Sequence, residues 1–293
     1  MTRHAHSRQG ADVISATTIH AASFSARTRL AASAQPDRLE RWRGAARPRV
    51  LAWTAIALLA AQVAAAADPV PHLASHVLLT QDESLGTSIA TTPPITTQPG
   101  GSTLLALSMG WVVNFAAPTD SFANTWTQVG SEHIYAGTDF YTALWDVAAA
   151  QGGAGHTLSV SKAGRPAGEI SLAFIEVANG GHVRAIYKLA AAGHETPGSI
   201  SVDRPATLIA VWGGDSFELT HTAVPDNGFS VFDSYLVLGP TSGVQVAIAA
   251  KQVSTPGNYT VNWTSTPTQN AACYLIAVEW QAADSIFVDG FDP

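Results

Sequence analysis

The chain has 293 residues, a formal net charge of −7 and one cysteine, Cys273. One cysteine rules out an intrachain disulfide framework, and an acidic balance argues against nucleic acid or anionic lipid as partner, since both are held through clustered Lys and Arg. The charge is unevenly spread: residues 1–67 hold nine arginines and three acids, whereas residues 68–293 hold six basic residues against nineteen acids.

That break follows an export-like order of segments. A basic run (Arg41, Arg43, Arg47, Arg49) precedes an apolar run from Val50 to Val63 and the small-residue stretch Ala64–Ala67. This is the layout of a secretory signal peptide, with cleavage expected after Ala67. The apolar run is about fourteen residues, short of the roughly twenty that a spanning helix needs, so no membrane span is expected in the mature chain. A signal beginning some forty residues inside the chain points to translation starting near Arg41, with residues 1–40 not made; a transit-type leader is the alternative.

From residue 68 the pattern is one of short strands. His76–Thr80 and Gly86–Thr92 open it, the second closed by Pro93-Pro94. Pro99-Gly-Gly101 is a turn that launches Thr103–Met109, whose near-continuous apolar character suits an interior strand. Asp120–Val129 enters a strand with Trp126 pointing inward; Phe140–Val147, His156–Ser161 and Glu169–Val177 follow. The plan then returns as Arg184–Leu189, Gly198–Val202, Thr207–Trp212, Phe229–Val237, Val244–Val253, Tyr259–Thr264 and Tyr274–Trp280. No segment shows helical periodicity.

The return is in register. Gly101-Ser-Thr-Leu-Leu-Ala-Leu-Ser-Met-Gly-Trp111 reappears as Pro205-Ala-Thr-Leu-Ile-Ala-Val-Trp-Gly-Gly214, with Leu104 on Leu208. Farther on Trp145 falls on Ile248, Leu172 on Leu275 and Glu176 on Glu279, at an offset of 103 residues. Because side chains in a strand alternate between faces, a slip of one residue would reverse every apolar position, and the apolar set stays in phase. The fold class expected is therefore all-β: an antiparallel two-sheet β-sandwich, jelly-roll-like, built from two tandem pseudo-repeats. The halves span 76–180 and 181–281 within a domain of 68–283, and are expected to share one core; two independent sandwiches are the alternative.

The Gly-Ser-Thr-Leu-Leu-Ala strand, Asn124-Thr-Trp-Thr turn-strand, Thr157-Leu-Ser-Val and Ile175-Glu-Val strands, echoed by Gly257-Asn-Tyr-Thr-Val, resemble the jelly-roll-type β-sandwich modules of secreted bacterial proteins with no assigned activity. Val177-Ala-Asn-Gly departs from that pattern at the mid-domain junction. The tail Ile286-Phe-Val-Asp-Gly-Phe-Asp292 is similar to a C-terminal motif at the end of many exported gamma-proteobacterial proteins, and that resemblance implies export to the outside, the cell surface or the periplasm.

Chemistry is sparse. Gly214-Asp-Ser-Phe217 looks like a lipase or esterase motif, yet those nucleophiles need a His placed after a late Asp, and no Asp-x-x-His occurs. His133, His156, His182, His194 and His221 lack zinc-type spacing and read as solvated single residues. Calcium is the one cofactor left open, through the loop carboxylates Asp120, Asp139, Asp215 and Asp226, although no loop alternates oxygen ligands. Glu176 and Glu279 could be compared with a glycosidase pair, but their equivalence in the repeat favours acids on a solvated face. Trp111 and Trp212, at equivalent strand ends, are the candidate ligand-binding residues, able to stack on sugar rings if exposed. The expectation is an exported, non-enzymatic binding or surface-attachment module, with polysaccharide or cell-surface glycan as ligand. A carbohydrate-active enzyme and a structural envelope protein are the alternatives.

Overall fold

The computed structural model describes residues 69–84, 87–112, 115–162, 164–217 and 220–280; the leader, the expected cleavage after Ala67 and the tail lie outside them. Among the described residues every regular element is a strand. The first half carries β1 (His72–Gln81), β2 (Ile89–Thr91), β3 (Ser102–Trp111), β4 (Thr119–Asp120), β5 (Thr127–Gln128), β6 (His133–Ala136), β7 (Phe140–Ala150), β8 (Leu158–Ser161) and β9 (Ile170–Ala178). The second carries β10 (His182–Ala190), β11 (Ser199–Val202), β12 (Ala206–Asp215), β13 (Thr222–Pro225), β14 (Ser230–Tyr235), β15 (Val244–Val253), β16 (Gly257–Thr260), β17 (Trp263–Thr266) and β18 (Ala271–Glu279).

The protein is an antiparallel β-sandwich. One large sheet runs β1-β9-β3-β7-β5, with β6 also on β7, and the other runs β10-β18-β12-β15-β14. Each half also makes small sheets: β2-β8-β4 in the first, β11-β16 and β13-β17 in the second. The chain passes repeatedly between a large and a small layer, and counted from each half's own start the two large sheets run 1-9-3-7-5 and 1-9-3-6-5, differing only at the fourth place, where β15 stands opposite β7.

The layers follow from which faces the strands must bury. In β3, Leu105, Leu107 and Met109 face the other large sheet, where they meet Ile209 and Val211 of β12 and Tyr274, Ile276 and Val278 of β18. This is the core the halves share. The opposite faces are buried too: Leu104, Ala106, Trp145, Leu172 and Phe174 lie under the first half's small sheet with Leu158 and Val160. Leu208, Trp212, Leu275 and Cys273 lie under the second half's, with Ile200, Val261 and Trp263. The four central strands β3, β9, β12 and β18 are consequently apolar on both faces, which explains why their sequences run nearly unbroken rather than alternating. Cys273 behaves as a small buried hydrophobe, its thiol pushed up to about 12 by burial and then by the nearby Glu195.

At the crossing of the central strands the fit is tight. A Cβ on Gly213 would lie 2.0 Å from Cε of Met109, so the methionine occupies the space the glycine leaves. Polar seams flank this contact: His76 Nδ1 of β1 lies 2.6 Å from Asp233 Oδ2 of β14, and the His133 ring of β6 stacks on Tyr187 of β10 at 3.8 Å. Both edges of the shared interface are therefore pinned by residues from opposite halves.

Candidate functional site: a polar cleft where the two halves meet

The residues singled out in the sequence fare unevenly. Trp212 is 0% exposed and packs in the second half's outer core, so it offers no face to a sugar. Trp111 is half-buried at the end of β3, and the Arg165 guanidinium lies over its ring, 4.3 Å from the centroid, held there by Asp139. Burial in the apolar strand leaves Trp212 no stacking face, and a cation lies over the Trp111 ring.

Glu176 and Glu279 are buried, not solvated. Glu176 accepts the Gln98 backbone N–H at 2.7 Å, and Glu279 accepts that of Asp203 at 2.8 Å together with Arg184 Nη2 at 2.6 Å. Each ties down the loop that leads into its half's central strand. Strand parity aims Glu176 with Phe174 into one outer layer and Glu279 with Leu275 into the other, on opposite sides of the shared core, so the two cannot act on one bond.

His156 and His221 are buried as well, against the expectation of solvated histidines. His156 Nδ1 lies 2.8 Å from Thr97 Oγ1 and its Nε2 lies 3.4 Å from Asp120 Oδ1, an order that mimics a hydroxyl-imidazole-carboxylate relay. The ring is packed against Phe122 and Phe174 and has no exposed surface, which keeps it neutral by desolvation and out of reach of any substrate. It is a structural polar joint.

The loop carboxylates are not brought together. Asp120 accepts from Phe122 N, Asn124 and Trp126 Nε1, Asp226 from both Asn262 nitrogens, and Asp139 pairs with Arg165. No group of three or more potential metal-ligating side chains occurs among the described residues.

Asp215 is different. It ends β12, and it helps line a cleft of about 460 Å³ with Ile134, Tyr135, Ala136, Gly137, Leu189, Gln269 and Asn270. Tyr135 stands at a β-bulge, where β6 skips register against β7 between Ile134 and Ala136; bulges re-aim a side chain in this way. Its hydroxyl is buried and finds no hydrogen-bond partner, and Oδ1 of Asp215 is in the same condition. Gln269 is fixed on the other wall by the Asp215 N–H donating to its Oε1 at 3.0 Å and by its Nε2 donating to Gln245 Oε1 at 2.8 Å.

Behind the wall lies Glu169. Its Oε2 accepts from Ser242 Oγ at 2.7 Å, Gly243 N at 2.8 Å and Val244 N at 3.1 Å, clamping a loop of the second half to the first. A Cβ on Gly243 would sit 2.6 Å from Asp215 Oδ1 and 3.6 Å from Glu169 Oε1, so those oxygens are separated by no more than the sum of the two distances. Burial, then the Glu169 charge, lift the Asp215 carboxyl to about 6. Burial also raises Glu169, against the pull of its three donors, and raises the Tyr135 phenol well above its usual value with Asp215 the next cause. Sequence reading noticed Asp215 only as a loop acid and missed Glu169, Tyr135, Gln269 and Asn270. The available signal was a break in the sequence register, since Asp215 aligns with Trp111 of the first half.

Comparison with models of known protein families, with curated proteins and with solved structures found no match. Among the described residues no helix is long and apolar enough to cross a membrane.

Proposed function

We propose that the protein is an exported, non-enzymatic β-sandwich module that binds glycans, and that the cleft at Tyr135, Asp215, Gln269 and Asn270 is its binding site. The observation that carries this reading is the pair of buried, unpartnered polar atoms, Tyr135 OH and Asp215 Oδ1, on residues that line an open cleft. Buried polar groups without partners are costly; of those among the described residues, these two belong to residues that line this cleft, and sugar hydroxyls supply both donors and acceptors. Two side-chain amides add further polar contacts, while exposed Ile134 and Leu189 supply apolar surface for the C–H face of a ring. The cleft volume falls within the range of small-ligand sites. The export part of the proposal rests on the basic–apolar–small order ending at Ala67 and on the tail at 284–293. The strand orders of the two large sheets, alike at four of five places, support an origin of the halves in one duplicated unit.

A panel of neutral, amino and acidic oligosaccharides, offered with and without calcium and followed by NMR chemical-shift mapping, tests the reading. Shifts clustered on Tyr135, Asp215 and Gln269, with affinity lost in Tyr135→Phe and Gln269→Ala, are the expected result. A clean negative across the panel, or saturable binding mapped elsewhere, would overturn it. One observation favours a second reading, turnover of the bound glycan: the approach of Asp215 and Glu169 around Gly243. Release of shorter products that stops in Asp215→Asn would establish that alternative.

A further inference from the structure

We propose that the cleft selects a cationic amino sugar, whose protonated amine sits against Asp215 with Glu169 behind it; this deepens, and rests on, the glycan reading above. Asp120 and Asp226 are met by amide and indole donors, Asp139 and Glu279 by guanidinium groups, and Asp233 by His76. Asp215 has none of these: its Oδ1 is buried and unpartnered, the charge of a second carboxylate, Glu169, acts on it, and no Lys, Arg or His is among the described residues that line the cleft. Tyr135, 3% exposed and lining the cleft, adds an unpartnered hydroxyl to the unmet oxygen of Asp215.

The ligand must therefore bring positive charge and several hydroxyls. A neutral sugar hydroxyl can donate to Asp215 but does nothing about the repulsion from Glu169, and an acidic sugar adds to that repulsion. A bare divalent cation is a poor fit, because hard cations such as calcium take six to eight oxygens and the described residues assemble no set of three ligating side chains. An ammonium group on a sugar ring donates to Asp215 and offsets the Glu169 charge behind it, while Gln269, Asn270 and Tyr135 remain for the ring hydroxyls.

Isothermal titration of the intact protein with a glucosamine tetramer, its N-acetylated counterpart and a neutral glucose tetramer decides the matter, at pH 5, 6 and 7. Among the described residues the ionisable groups around Asp215 are Glu169 and Tyr135, with His221 beyond Gln269, and an ammonium ion drives proton release from a carboxyl that is part-protonated near pH 6. Affinity for the glucosamine tetramer is expected to rise from pH 5 to pH 7, and at pH 7 to exceed that for the acetylated and neutral tetramers by at least about tenfold. Asp215→Asn, checked for folding by circular dichroism, is expected to abolish that preference. Equal binding of all three tetramers at the cleft, with no pH dependence, would remove the amino-sugar inference and leave glycan binding standing. No tetramer bound at any pH would remove both. Calcium alone saturating the cleft, or a simple diamine bound as tightly as the tetramer, would also overturn the inference.

Discussion

Replacing Asp215 with asparagine reads the electrostatics of the cleft as a stability. Burial and the Glu169 charge lift this carboxyl from 3.8 to about 6 in the folded protein. A carboxyl raised by folding is one whose protonated form the native state prefers. Its contribution is present in full below the unfolded value of about 3.9 and is lost as pH rises through about 6. Each tenfold change in an ionisation constant is worth about 1.4 kcal/mol, which sets an upper bound of about 3 kcal/mol. Asp215 stands on the wall of an open cleft, where solvent screening reduces this to about 1–2 kcal/mol. The asparagine variant, neutral at every pH, is expected to be more stable than the parent by that amount at pH 8 and indistinguishable from it at pH 4. Urea unfolding followed by circular dichroism and tryptophan fluorescence at pH 4, 6 and 8 measures the difference. A variant less stable than the parent at pH 8, or a difference that does not change with pH, would refute the reasoning, because either means the ionised carboxylate has a stabilising partner within the fold.

Three further outcomes follow from contacts described above. Glu169→Ala strips the acceptor from Ser242 Oγ, Gly243 N and Val244 N and is expected to cost about 2–4 kcal/mol, whereas Glu169→Gln, which keeps an acceptor oxygen, costs less than half of that; equal losses in urea unfolding would contradict the clamp. Gly213→Ala drives a Cβ into Met109 and is expected to cost about 1–3 kcal/mol. Most of this should return when Met109→Ala is added, and a double-mutant cycle showing no coupling would count against that packing. Glu279→Ala, which unpairs Arg184 and the Asp203 N–H, should destabilise by about 2 kcal/mol and leave oligosaccharide binding unchanged; weakened binding in the folded variant would place Glu279 near the ligand after all.

The architecture was legible because parity is a strong signal. Leu104 with Leu208 and Leu172 with Leu275 fall on corresponding faces of corresponding strands, and Trp126 points inward as its turn-strand implied. Legibility failed where the local signal was weak. Strands β4, β5, β6 and β13 are two to four residues long, too short to show alternation. The outer small sheets were hard to foresee because an unbroken apolar run such as that of β9 shows that both faces are buried without saying against what. His156, Glu176 and Glu279 were misplaced because polar side chains in a strand ordinarily face water, and here backbone and side-chain partners repay their burial. The cleft lay beyond sequence reading for a topological reason. Tyr135 comes from a bulged edge strand of the first half, Asp215 and Gln269 from a strand end and a loop of the second, and no motif links positions so far apart along the chain.

The contact of Met109 with Gly213 demands unlike residues from the two halves. These are aligned positions meeting each other at the centre of the interface, and in an assembly of two identical chains such positions must carry the same residue. Two methionines would collide there, and two glycines would leave a hole. Joining both halves in one polypeptide lifts that constraint, so one side can supply the knob and the other the socket. The same freedom extends outward to the strand ends, where one half closes its corner with Trp111 under Arg165 and the other opens its corner at Asp215. A saturating ligand at the Asp215 corner should therefore bind with a stoichiometry of one per chain rather than two.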